Sequence, residues 1–113
     1  MPSITNDADY MLCSLYAEYC RRLKNGVPKS DAAVFGSAVQ IQDSVIPEWS
    51  TCDITSTAEE LCDQGLLDAV FGDMELSESM LTPKAVVYME TRFGRKFDRL
   101  VSRIAELRKI ILG

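Results

Sequence analysis

AEELCDQGLLDAVFGDMELSESMLTPK, residues 58–84, is the stretch whose reading decides the fold. It opens as the end of an amphipathic helix, with Ala58, Leu61 and Cys62 on one side, and Gly65 stops it. LLDAVF then reads as a strand, Gly72-Asp73 as a turn, and residues 74–81 as the returning strand. Thr82-Pro83 starts the next helix. Thr can cap it, and Pro fills the first position, where its missing N–H costs nothing.

Working outward, the same helix is expected to begin at Asp53, with Thr55, Ser56 and Thr57 at its polar opening and Ile54 on the buried side. Before it, SAVQIQDSVIPEWSTC lacks clean periodicity, and Pro47 forbids one long helix. A short helical piece over 38–45 is expected, followed by a loop carrying Trp49, which reads as buried beneath its loop or as a partner anchor. Residues 26–29 read as a brief extended piece, and Ser30 as the cap of a short helix, SDAAVF, closed by Gly36. The first helix is predicted from Asp7 to about Lys24. Leu12, Leu15 or Tyr16, Tyr19 and Leu23 share a face, and Asn25-Gly26 supplies the stop. Beyond Pro83, apolar residues keep helical spacing almost to the end, broken only at Gly94.

Helix, extended piece, two helices, hairpin and helix is the order of a winged helix. AEELCDQGLL (58–67) is similar to that family's passage from third helix to wing. SMLTPKAVVYM (79–89) resembles the hairpin's exit into a Thr-Pro-capped helix in small bacterial and prophage winged-helix proteins of unassigned function. The resemblance covers about residues 7–93. It implies an α+β, mostly helical fold: a winged-helix domain over 1–93 with a two-strand wing, and an extra C-terminal amphipathic helix over 94–113. It also implies DNA binding, with the third helix (about 53–64) in the major groove and the wing (66–81) across the backbone.

Charge departs from that pattern. Residues 30–83 hold eleven carboxylates and no Lys or Arg, whereas residues 84–113 hold eight cations and three carboxylates. Duplex binding requires cations that displace counterions around phosphates. The third helix and wing instead bring Asp53, Glu59, Glu60, Asp63, Asp68, Asp73, Glu75 and Glu78. Such a surface repels a polyanion over the ~10 Å screening length. An acidic face meeting an unknown protein partner is therefore the expected mode of action, in a regulatory or adaptor role.

The C-terminal helix carries its own pattern. Phe97, Leu100, Ile104, Leu107 and Ile111 lie at heptad spacing, while Arg92, Arg95, Lys96, Arg99 and Arg103 gather on another side. The apolar stripe packs on its own domain or forms a homodimer seam. The cations are solvated or contact phosphate, which gives the alternative of a DNA-binding regulator working through this helix. Attachment to a membrane surface ranks last, because the acidic body opposes it.

At 113 residues, with 47% hydrophobic and 26% charged side chains, the chain suits one globular domain. No apolar run nears the ~20 residues that span a bilayer, and MPSITNDADY lacks the features of a signal peptide, so a cytoplasmic location is expected. Four cysteines without a CxxC pair, in a chain with no histidine, read as reduced core side chains; neither a metal site nor a cofactor is expected. With no histidine and no GxSxG, P-loop or GxGxxG motif, no catalytic residue is assigned.

Overall fold

The computed structural model describes residues 3–112, so positions 1, 2 and 113 of the expected domains lie outside the described residues. Its order is α1 (Asn6–Lys24), α2 (Lys29–Ala32), α3 (Ala38–Ser44), α4 (Thr51–Asp63), β1 (Leu67–Gly72), β2 (Glu75–Leu81), α5 (Pro83–Phe93) and α6 (Phe97–Leu112). Four helices owe their start to a side-chain cap. The Thr5, Ser37, Ser50 and Thr82 side chains accept amide protons from Ala8, Gln40, Asp53 and Ala85, capping α1, α3, α4 and α5. Ser37 and Gln40 complete a reciprocal capping box. Pro28 precedes α2 and offers no side-chain cap, which suits a helix of only four residues.

The α+β class with one hairpin is as expected, and three boundaries moved for physical reasons. Ser50 captures the start of α4, two residues before Asp53. The short helix ends at Ala32, because the next residues are drawn into pairing with β2. Phe35 N–H donates to Ser79 O, Leu81 N–H donates to Ala33 O, and Val34 bridges Met80. The extended segment that pairs is thus 33–35, not 26–29. Gly94, at φ 59, separates α5 from α6.

β1 and β2 pair antiparallel, with Leu67 opposite Leu81, Asp68 opposite Met80, Ala69 opposite Ser79 and Val70 opposite Glu78. A register shift follows Val70, and Gly72 pairs with Glu75 across a two-residue turn. Both turn residues, Asp73 and Met74, take positive φ (51° and 65°), which matches the twist a tight hairpin needs. The pleat buries Leu67, Leu76, Ser79 and Leu81 on one face and leaves Asp68, Val70, Glu78 and Met80 outward.

The core gathers around α1. Tyr10, Met11, Leu12, Leu15, Ile41, Ile46, Ile54, Leu61 and Met89 are fully buried, and Trp49 packs on Tyr10 with ring centroids 5.4 Å apart. Trp49 is therefore a core residue. α6 lies along α1 and places Leu100 and Leu107 in the same core. At roughly 1.5–3 kcal/mol for each large side chain, their burial holds the C-terminal helix firmly.

Candidate functional site

Five of the eight carboxylates of α4 and the hairpin divide between two concavities. Glu59 on α4 faces Asp73 and Glu75 of the hairpin across a cleft of about 280 Å³, floored by Thr51, Cys52, Thr55 and Ser56. Thr55 fastens the two elements together, its hydroxyl oxygen accepting the Leu76 N–H at 3.1 Å. Asp68 and Glu78 line the second concavity, a groove of about 630 Å³ on the outward face of the hairpin. Asp53 and Asp63 stand exposed on α4 and line neither. Glu60 is committed elsewhere, accepting from the Thr5 amide at 2.8 Å and the Thr5 hydroxyl at 2.7 Å. It ties the approach to α1 onto α4. The acidic face is thus real as a surface, but only part of it converges.

Its field reaches Cys62. Burial raises that thiol's pKa first, and the charges of Asp63, Asp68 and Glu59 raise it further. Of the four free cysteines, Cys13 is buried, Cys20 and Cys62 are half-buried, and Cys52 is exposed beside the α4 cleft. Cys52 therefore departs from the expected core role. It stands near the helix start, on the solvent side of an amphipathic helix.

The expected basic stripe is broken up. Arg92 donates two hydrogen bonds to the buried carboxylate of Asp9, at 2.5 and 2.9 Å, and Arg103 adds a third at 3.3 Å. Burial pushes the Asp9 carboxyl up, but the Arg92 hydrogen bond and charge, with the Arg103 charge, outweigh it and hold the group below the ordinary aspartate range. Arg103 also pairs with Glu106. These two candidate phosphate ligands are structural ties between α1, α5 and α6. Arg95, Lys96 and Arg99 remain exposed and form no ion pair among the described residues.

The expected dimer seam is also largely occupied within the chain. Leu100 and Leu107 are 1% and 0% exposed, Ile104 and Ile111 are half-buried, and only Phe97 stays open at 43%. The reason is that α1 turns an apolar face toward α6, and the heptad stripe fits it.

A second polar tie went unread in the sequence. The Tyr10 hydroxyl donates to Glu48 and accepts from Arg108 Nε and Nη2 at 3.2 and 3.0 Å. A signal for the Asp9 cluster does exist: Asp9 falls on the face of Leu12, Cys13 and Tyr16, so a carboxylate on an apolar stripe needed a cation. Among the described residues, no group of three or more His, Cys, Asp or Glu side chains is placed to hold a metal ion, and no helix is long and apolar enough to cross a membrane. Comparison with known proteins finds no protein-family model, no curated protein and no solved structure that matches the chain.

Proposed function

We propose that this chain is a non-enzymatic, winged-helix-type regulatory or adaptor module whose acidic face, on α4 and the hairpin, meets a cationic protein partner. One observation carries the reading. The cation-free span 30–83 surfaces as exposed carboxylates, Glu59 and Asp73 together with half-buried Glu75 around one cleft, and Asp68 with Glu78 around another. The pairing of 33–35 with β2, beside α3, α4 and the hairpin, supports the winged-helix order. In that order α4 is the helix that would enter a major groove, and it offers a duplex no cation.

A photo-crosslinking amino acid at exposed Ser56, beside the α4 cleft, tests this in the cells that make the protein. Adducts to protein are expected. Adducts that nuclease digestion alone returns to about the mass of the free chain refute the reading.

A second reading rests on Arg95, Lys96 and Arg99, the cations left unpaired near the start of α6. There the chain would hold DNA phosphates by that edge, with α4 turned away. Its signature is a duplex affinity that falls with salt by a slope of no more than about three counterions and vanishes in an Arg95→Glu, Arg99→Glu variant.

A further inference from the structure

The outward face of the hairpin has a pattern that the acidic-face reading alone does not explain. Val34, Met80 and Asp68 form one row across three paired segments, and Glu78 and Val70 form the next. Val34, Val70 and Met80 are exposed by 48%, 55% and 37%. Asp68 and Glu78 occupy diagonal corners of this lattice, at the ~7–8 Å spacing of diagonal cross-strand neighbours. Neither carboxylate takes part in any ion pair or side-chain hydrogen bond among the described residues.

The far wall of the groove is built to stay in place. Gly36, at φ 77°, lets the Gln40 side chain fold back onto the Ser37 amide, and any Cβ there would lie 2.0 Å from Gln40 Oε1. The Ser79 hydroxyl donates to Gly36 O at 2.8 Å and fixes this wall to β2.

We infer that this groove receives an arginine side chain from a partner protein, its guanidinium between Asp68 and Glu78 and its aliphatic stem over Val70 and Met80. The inference rests on the acidic-face reading and names its partner chemistry. A planar guanidinium presents donors on two edges and can serve both carboxylates at that spacing, whereas an ammonium is a compact point charge. The stem and neighbouring apolar residues of the partner cover the aliphatic rows. A second copy of this chain is the weaker occupant, because two molecules of net charge −5 repel each other on approach.

The test uses the full-length, isotope-labelled chain and three blocked hexapeptides. One is Val-Thr-Arg-Val-Thr-Val; the others carry lysine or citrulline in place of arginine. The arginine peptide is expected to move the amide resonances of Asp68, Val70, Glu78 and Met80, with millimolar affinity. Lysine should bind a few-fold more weakly, and neutral citrulline about tenfold or more. An Asp68→Asn, Glu78→Gln variant should lose the arginine preference while keeping its α1 resonances, and Glu59→Gln should keep it. Equal binding of arginine and citrulline overturns the inference, as does the absence of any shift with all three peptides. If Glu59→Gln abolishes binding while the groove variant does not, the groove assignment falls and the acidic-face reading survives through the α4 cleft. Protein-only shifts that disappear on dilution and in Arg99→Glu would make a second copy the occupant, and would also overturn it.

Discussion

Asp9→Asn separates a structural role for the Arg92 and Arg103 cations from a merely superficial one. The substitution keeps the side-chain shape but removes the charge that both guanidiniums face. Removing one member of a buried pair costs ~3–5 kcal/mol. Arg92 and Arg103 keep 20% and 31% of their side chains exposed, so part of the stranded charge returns to water. About 2–3 kcal/mol should remain. For a domain of this size that loss lowers Tm by roughly 10 °C. Urea and thermal unfolding followed by circular dichroism at neutral pH measure it.

A double-mutant cycle with Arg92→Met should return a coupling of about 1 kcal/mol or more, since the arginine no longer matters once its partner is neutral. Acid supplies an independent check. The folded Asp9 carboxyl titrates below its unfolded value of ~3.9, so its contribution is complete above about pH 4 and is lost as pH falls through the folded value. The gap between wild type and Asp9→Asn should therefore narrow only below about pH 4. A neutral-pH loss under ~0.5 kcal/mol, or a coupling of zero, would refute the reasoning.

Three further outcomes follow from the geometry. Leu107→Ala should cost about 2–4 kcal/mol in denaturant unfolding without changing the mass seen by light scattering, because Leu107 packs on its own chain; a halved mass would restore the dimer seam. Met74→Gly should stabilise by about 0.5–1 kcal/mol, since Met74 holds φ 65° with a fully solvated side chain and glycine takes that conformation without strain. With a disulfide reagent at neutral pH, exposed Cys52 should react first. Cys13, whose thiol burial and then the Asp9 charge push up to about 12, should react last. Cys62 should fall between them and speed up with added salt as its carboxylate neighbours are screened.

What the sequence made legible was local. Gly65, the Gly72-Asp73 turn and Thr82-Pro83 placed the hairpin and its flanking helices nearly to the residue, because each is decided by backbone freedom or a cap. Exposure of Asp53, Glu59, Asp63, Asp68 and Asp73 was legible too, since solvated carboxylates have no reason to be inside. Contacts that join distant residues were not. Val34 finds Met80, and Asp9 finds Arg92 and Arg103 across sequence separations of 83 and 94, only after α1 has collected the other helices. Counting cations correctly located a basic segment but missed that two of its members were already answered by a carboxylate. Likewise, a heptad stripe names a face that needs covering without naming the cover. Here α1 supplies it.

That far-reaching tie on Asp9 bears on how the molecule comes into being. A nascent chain must extend past Arg103 before the carboxylate in the first turn of α1 meets both guanidiniums. Until Arg92 is made the Asp9 carboxylate has neither guanidinium, and until α6 is made α1 keeps bare aliphatic surface, so synthesis and folding cannot proceed in step. α1 is thus made well before it is secured, and throughout that delay it is a segment in need of a chaperone's shelter.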